Sequence, residues 1–599
     1  MILDQQQQEA VQTQSKNVLV IAPPGSGKTR VIIERSVYLI EHKQVSPYEI
    51  VLLTFTRRAA NEMRERLEKR IGPKAHKVTI GTFHAVALSL LHRFGDLIGF
   101  RKENSTVYGD FEEKFLLREV AKDLVVLKNK TWKIPKKEVD AVFARYYTTG
   151  VEPDEEDQVR PLFLAFMARC RENNSYTYGG LLVGLKILLP QIAKYLHWKH
   201  IIADEQQDND QLQWELIRTA QRLCGASVFC VADIDQAIFS WRGAHPEYLV
   251  EHQADFDLFF LENNYRSCQQ IVDCANRLIR HNKQRVEHVM KATREDIGES
   301  RVIVHNPIMD SKTLAAKAKQ AIDYYHADAN QQSILSRNHK LLQRLSEELE
   351  KLEVPHVYVG RKTALTNSEE FRRFHAFLKL LVNPYDNFSF LLIRDLIGLT
   401  RQEYAEIREY SASKGCGHFP AWVIKFGGES VFLDDFFIPA MQEKTWSLGA
   451  SAFAIKYMAT GAMPYPSEGF GFDVDESFGF IFSYLMNNPN STIQQYLTWL
   501  ATYDVQDEIE SDSEGITLST IHAAKGLEWP VVIVIGCNEG ILPSKQAVSS
   551  GDVEEERRLM YVAMTRARDQ LVLAVRPETK KYGDKVYHNP ISRFVAEIG

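Results

Sequence analysis

Three stretches of this sequence bring together side chains that could do chemistry. The first is Ala22-Pro23-Pro24-Gly25-Ser26-Gly27-Lys28-Thr29-Arg30. Its glycines let successive backbone N–H groups turn toward one anion at a helix start. The Lys28 ammonium can then reach outer phosphates and the Thr29 hydroxyl can ligate magnesium. Ala22 stands where the stricter form of this pattern has Gly. The second stretch, Asp204-Glu205, closes the apolar run His200-Ile201-Ile202-Ala203. Asp204 is suited to hold magnesium through its water shell, and Glu205 to polarise an attacking water. Such pairs are common, and this one gains meaning by following a phosphate loop. The third runs from Asp233 to Ala244, where Gln236 can hydrogen-bond a terminal phosphate. Phe239, Trp241 and Arg242 offer stacking faces and a cation to the bases of a single strand, with packing among themselves as the competing reading.

Positioning these groups calls for buried strands that each end in a functional loop. Val18-Leu19-Val20-Ile21 precedes the phosphate loop, and an amphipathic helix follows it. Ile50 to Thr56 ends in Thr54, Phe55 and Thr56 before a basic helix from Arg57 to Arg70. Lys77-Val78-Thr79-Ile80 leads into Gly81-Thr82-Phe83-His84-Ala85, Ser227 to Ala232 leads into the Asp233 stretch, and Leu258 to Leu261 precedes Asn263. Strands alternating with helices predict α/β structure with a parallel sheet, whose ligands bind beyond the carboxyl ends of the strands. A second set of apolar runs, at 302–304, 333–337, 515–519, 531–535 and 571–575, predicts another such domain, the last run being its final strand.

Between these sets, residues from about 88 to 195 and from about 366 to 510 show helical periodicity, the first without a comparable strand. The segment Lys128 to Lys137 reads as a solvated loop or as a contact for a phosphate backbone, and Glu152 to Asp157 as a surface linker. Gly469 to Asp473 and Phe478 to Phe482 lie in the second insertion, the latter as core or domain contact. Asp504 to Glu514 reads as an exposed linker. The glutamine run at 5–8 belongs to a short polar helix with a solvated face.

Bulk properties narrow the class. A chain of 599 residues needs three to five domains. With 45% hydrophobic and 25% charged residues and a net charge of −6, it has no global positive field, which counts only weakly against a nucleic-acid partner because a large enzyme can confine its basic residues to a groove. No apolar run is long enough to span a membrane, and the start lacks a signal core, so a cytoplasmic protein with no membrane partner is expected. Seven cysteines without a CxxC pair predict free thiols rather than zinc or disulfides.

In their order along the chain, these stretches resemble the UvrD/Rep/PcrA group of superfamily 1 DNA helicases. The resemblance is carried by Gln7 in Leu3-Asp4-x-x-Gln7, Ala22 to Thr29, Thr54 to Thr56, Gly81 to Ala85, Asp204-Glu205 with Gln207-Asp208, and Asp233 to Ala244. It continues through Asn264-Tyr265-Arg266-Ser267, Thr520 to Trp529, and Tyr561 to Arg568. It implies two RecA-like P-loop motor domains, each with a mainly helical inserted subdomain. The expected boundaries are 1–87 with 196–262 for the first motor, 88–195 for its insertion, 263–365 with 511–599 for the second motor, and 366–510 for its insertion.

The resemblance further implies ATP and Mg2+ in the cleft between the motors. Gln7 would read the adenine edge and Tyr265 stack on the ring, while the loop Ala22, Pro23, Pro24, Gly25, Ser26, Gly27, Lys28, Thr29 and Arg30 holds phosphates and metal. Asp204 organises magnesium with Thr29, Glu205 is the general base, and Gln236, Arg266, Glu528 and Arg566 sense or stabilise the γ-phosphate. An arginine from a second sheet is physically apt there, since it neutralises transition-state charge only when the cleft is closed. Single-stranded DNA would contact Phe55, Phe83, His84, Phe239, Trp241, Arg242 and His522. The expected activity is ATP-dependent 3′ to 5′ DNA unwinding in repair, replication or recombination, on single strands and single/double-strand junctions. A translocase that mainly displaces bound proteins shares every motif, and a non-catalytic nucleic-acid binding subunit is the remote alternative. Ala232, Ala237 and Phe239 depart from the group's usual Gly, Ser and Tyr, and the chain's end at Gly599 predicts no C-terminal extension.

Overall fold

The computed structural model describes residues 3–101, 105–128, 131–294, 302–305, 311–325, 328–359, 366, 369–394, 398–426, 484, 488, 491–501, 503, 515–575, 579–582, 585–588 and 590–599. Gly469 to Asp473, Phe478 to Phe482 and Asp504 to Glu514 lie outside these residues. The chain divides into two compact units. One comprises Met1–Phe83, Ala193–Lys362 and Asp504–Gly599, and the other His84–Ile192 and Thr363–Tyr503.

The first unit holds two six-stranded sheets. In one, the strand order is Asp257–Phe260, Asn17–Ile21, Ser227–Ala232, His200–Ala203, Ile50–Thr54 and Thr79–Thr82, every pair parallel. In the other, the order is Val302–His305, Ala567–Ala574, Trp529–Ile535, Gln332–Ser336, Ile516–Thr520 and His356–Tyr358, again all parallel. Parallel strands need helical crossovers that bury both faces, which is why these strands read as near-continuous apolar runs. The doubly wound architecture is that of RecA-like domains. Ala567–Ala574 is not the last strand, because a hairpin of Thr579–Tyr582 with Lys585–His588 follows it.

Helices start where the sequence supplies caps. Thr56 accepts from the Ala59 amide to open Arg57–Ile71, and Asp210 forms a capping box with Gln213 to open Gln211–Cys224. In the second sheet, Gln269–Ile279 and Val553–Met564 cover one face and His339–Lys351 the other. Ile238, Phe239 and Ala244, from the loop after Ser227–Ala232, are built into the core beneath Gln269–Ile279 and Val553–Met564. The first sheet's loop is thus part of the second sheet's packing.

The other unit is mainly helical and contains both insertions. The first insertion, expected to be helical without a comparable strand, contains one short parallel pair, Thr106–Tyr108 with Ser175–Thr177. This short pair carries polar groups into the unit's core, where the Tyr108 hydroxyl donates to Asp386 Oδ1 at 2.6 Å. Fully buried Glu112 is ion-paired with Arg372 and Lys379, so the helices Asp110–Asp123 and Glu369–Val382 share one buried charge cluster. In the basic-aromatic segment, Lys128 pairs with Thr131 and Leu127 with Trp132 in a minimal hairpin.

Candidate nucleotide site and nucleic-acid face

Lys28 stands at the head of the helix Lys28–Glu41, directly after a turn that only glycine can make comfortably. Gly25 and Gly27 have φ of +72° and +85°. A Cβ on Gly25 would lie 2.7 Å from Arg266 Cβ, and one on Gly27 would lie 2.8 Å from Gln7 Nε2. Two other segments therefore press on the outside of this loop. The Tyr265 amide donates to the Gly25 carbonyl at 2.9 Å, and Asn264 Nδ2 to the Pro24 carbonyl at 2.7 Å. Gln7 Nε2 donates to the Ser26 carbonyl at 2.9 Å. The glutamine run is accordingly not all solvated, since Gln7 is buried in the helix Gln5–Gln12.

Across the cavity, the strand His200–Ala203 delivers Asp204 and Glu205. Glu205 takes a left-handed φ of +51°, an uncommon backbone state that points to function at this position. Lys28 Nζ lies 3.1 Å from Glu205 Oε1 in a half-buried ion pair. Burial pushes the Glu205 carboxyl up, but Lys28 and Lys525 outweigh it and hold the group below the ordinary carboxylate range. Burial and the adjacent Glu205 charge instead push Asp204 up. Among the described residues, Asp204 Oδ1 is buried without a hydrogen-bond partner, and Lys28 Nζ has Glu205 as its ion-pair partner. A lysine at the head of a helix and an unpartnered carboxylate oxygen, both lining one cavity, fit a triphosphate and a divalent cation. Lys28, Thr29, Arg30, Asp204 and Glu205 all line the same cavity of about 1220 Å³.

The second sheet supplies its other wall. Arg566 Nη2 donates to Gln236 Oε1 at 3.0 Å, and Gln236 Nε2 donates to Asp233 Oδ2 at 2.7 Å. Burial, then the like charge of Arg266, pushes the Arg566 guanidinium down to about 9. Arg266 is ion-paired with Glu528 and donates to the Thr565 carbonyl at 3.1 Å. Gln7, Tyr265, Arg266, Glu528 and Arg566 line this cavity too.

A ring cluster lies alongside. Phe55 stacks on Phe239 with centroids 5.1 Å apart, Trp241 meets His522 edge-on at 6.2 Å, and the Arg242 guanidinium lies 4.9 Å from the Trp241 ring. Two of the expected stacking rings need correction. Phe239 is 3% exposed, held between Phe55 and the Lys525 ammonium, and Phe83 is also buried. Rings at these positions are packed because they close the core where strands end. Trp241, 65% exposed, is the ring left open to solvent. His522 is kept neutral, its ring pushed down to about 3 by burial and by Arg337 and Arg242. His84 belongs to the helical unit, where it stacks on Tyr178 at 4.1 Å.

Lys525, in the segment Thr520 to Trp529, pairs its ammonium with buried Asp208 and donates to the Gln236 carbonyl at 2.6 Å. Arg558 likewise donates to the Ala237 carbonyl at 2.8 Å. A lysine in a loop and an arginine in a helix carry no local signal of such partners, which lie some three hundred positions away in sequence.

Two parallel sheets that share a phosphate loop, an Asp-Glu pair and an incoming arginine define a P-loop nucleotide hydrolase of the RecA-like class. The UvrD/REP helicase N-terminal domain matches residues 3–257, and the UvrD-like helicase C-terminal domain matches 259–414 and 482–577. The chain belongs to the UvrD/Rep helicase family. It is 30% identical to the ATP-dependent DNA helicase PcrA of Bacillus subtilis (strain 168), over 99% of this chain and 85% of that one. It is 29% identical to the protein of the same name from Leuconostoc citreum, over 100% and 84%, and 26% identical to that of Staphylococcus epidermidis, over 100% and 86%.

Proposed function

We propose that this protein is an ATP-dependent DNA helicase that moves 3′ to 5′ along single-stranded DNA and separates duplex ahead of it, in repair, replication or recombination. One observation carries the reading: Gln236 touches Arg566 of the second sheet and sits in the same loop as the exposed Trp241, so the nucleotide cavity and the ring cluster share a loop. ATP with Mg2+ bound in the cavity would supply the free energy of phosphoanhydride hydrolysis. Lys28 and the loop amides bind phosphates, and Thr29 and Asp204 are the magnesium holders. Glu205, ionised and aimed across the cavity, takes a proton from the attacking water. Arg266 and Arg566 neutralise charge that develops on the outer phosphate, which requires the two sheets to stay closed. Closure and opening move the loop from Asp233 to Ala244 against the second sheet's core, and Trp241 with Arg242 passes that movement to a stacked base. We assign the motors to 1–87 with 196–262 and 263–365 with 511–599, and the insertions to 88–195 and 366–510.

Fluorescence-monitored unwinding of 3′-tailed, 5′-tailed and blunt duplexes tests the proposal. Unwinding of the 3′-tailed substrate alone is expected. DNA-stimulated ATP hydrolysis with no strand separation on any substrate would replace it with a translocase that displaces bound proteins.

A further inference from the structure

Asp4 does more than begin a helix. Its Oδ1 accepts the Gln7 amide at 2.7 Å, while its own amide donates to Gln7 Oε1 at 3.2 Å, a complete capping box. This reciprocal pair fixes the Gln7 amide. Oε1 faces the cap, Nε2 faces the Ser26 carbonyl at 2.9 Å, and turning the amide over would lose both bonds. The other carboxylate oxygen of Asp4 reaches a different element. Oδ2 accepts the Tyr265 hydroxyl, and Asn263 Nδ2 at 3.0 Å, both from the strand Asn263–Cys268 that opens the second half of the chain. Gln7 and Tyr265 both line the nucleotide cavity, and the Tyr265 ring is 43% exposed. Burial pushes the Asp4 carboxyl up, but the Gln7 amide and the Tyr265 and Asn263 side chains outweigh it and keep the group ionised.

We infer that Asp4 is a positioning residue that sets the adenine slot, one carboxylate oxygen orienting Gln7 and the other tethering Tyr265, and that it thereby sets the preference for adenine over guanine nucleotides. The inference rests on the reading of the cavity as an ATP site. The second lone pair of Oε1 and the second N–H of Nε2, those not used by the Asp4 amide and the Ser26 carbonyl, match the N6–H and N7 of adenine. Guanine presents two acceptors, O6 and N7, to the same pair. A tethered tyrosine holds its ring at a fixed distance from that amide, so the base is gripped in a slot of set width. The carboxylate is needed for both tasks. Asparagine keeps the Oδ1 cap but replaces the second, charged acceptor with an N–H, so the charge-assisted bonds from the Tyr265 hydroxyl and Asn263 Nδ2 are lost while the helix start stays intact.

The test is steady-state, single-strand-stimulated hydrolysis of ATP and of GTP by the full chain and its variants. For Asp4→Asn the KM for ATP is expected to rise about tenfold, the loss of a hydrogen bond to a charged group. The kcat and the KM for GTP should stay within about twofold. Tyr265→Phe, which keeps the ring, should lower the ATP/GTP preference by a similar factor, and the double variant should lower it no further. A KM for ATP within twofold of the unmodified protein in Asp4→Asn, an equal rise for both nucleotides, or additive effects in the double variant would overturn the inference. Gln7→Ala separates the two levels of the argument. If it leaves the ATP/GTP ratio unchanged, the adenine reading of the cavity fails. If it abolishes the ratio while Asp4→Asn does not alter it, only the role of Asp4 fails.

Discussion

Lys28 and Glu205 hold each other across the cavity, and removing either has a defined consequence. Lys28→Ala should abolish DNA-stimulated ATP hydrolysis, and Glu205→Gln should lower it by roughly two to four orders of magnitude, the range of a lost general base. Single-strand affinity, measured by fluorescence anisotropy, should change in neither beyond a few-fold, because the ring cluster stands on other residues. Trp241 and Phe239 give the complementary case. Trp241→Ala should weaken single-strand binding by roughly 1 to 3 kcal/mol, the worth of one stacked base. Phe239→Leu should instead lower the thermal midpoint, with affinity nearly unchanged, because that ring is packed against Phe55 and not open to a base. At this scale the sequence was a good guide to residue types and a poor one to exposure. Gln7, Lys28, Thr29, Asp204, Glu205, Gln236, Tyr265, Arg266, Glu528 and Arg566 line one cavity, and a common lining is what their spacing in sequence could not show. Whether Phe83 or Phe239 faces a base or the core depends on what lies over the strand ends. No local pattern encodes that.

At the scale of elements, the apolar strands were legible because parallel sheets bury both faces, and their β-branched runs stand out from the helices between them. The short strands Thr106–Tyr108 and Ser175–Thr177 were not, since three residues in a helical context give no periodicity to read. Their neighbourhood has a consequence for acid stability. His375 is buried in the helix Glu369–Val382, with Nε2 2.7 Å from the Tyr496 hydroxyl and Nδ1 2.8 Å from the Phe371 carbonyl. Burial pushes this ring down to about 3 from 6.5. The folded state thus prefers the neutral ring. Its contribution to stability is full above the unfolded value near 6.5 and is lost as pH falls from there toward 3. The urea midpoint, followed by circular dichroism, should fall between pH 7 and pH 5, and His375→Phe should flatten that fall. Glu112 acts in a lower window. Burial raises its carboxyl, but Arg372 and Lys379 hold it down to about 2, so its contribution persists until pH drops below about 4.5.

At the scale of the whole molecule, the two sheets are coupled through a small set of buried contacts. Arg566 meets Gln236, Lys525 meets Asp208, Arg558 meets the Ala237 carbonyl, and Ile238 sits in the second sheet's core. Arg566→Ala should therefore leave nucleotide binding within a few-fold, read with a fluorescent ATP analogue, while hydrolysis falls by roughly three to five orders of magnitude. Retained turnover in that variant would detach the second sheet from the chemistry. The pairing of two motor sheets was readable from the order of motifs, whereas the contacts that join them were not, because each partner looks ordinary in its own segment.

The backbone bond from the Tyr265 amide to the Gly25 carbonyl places the start of the second half of the chain directly on the rim of the phosphate loop. One turn of backbone therefore serves both halves, and any shift of the phosphate loop must be met by the strand Asn263–Cys268 that is bonded to it.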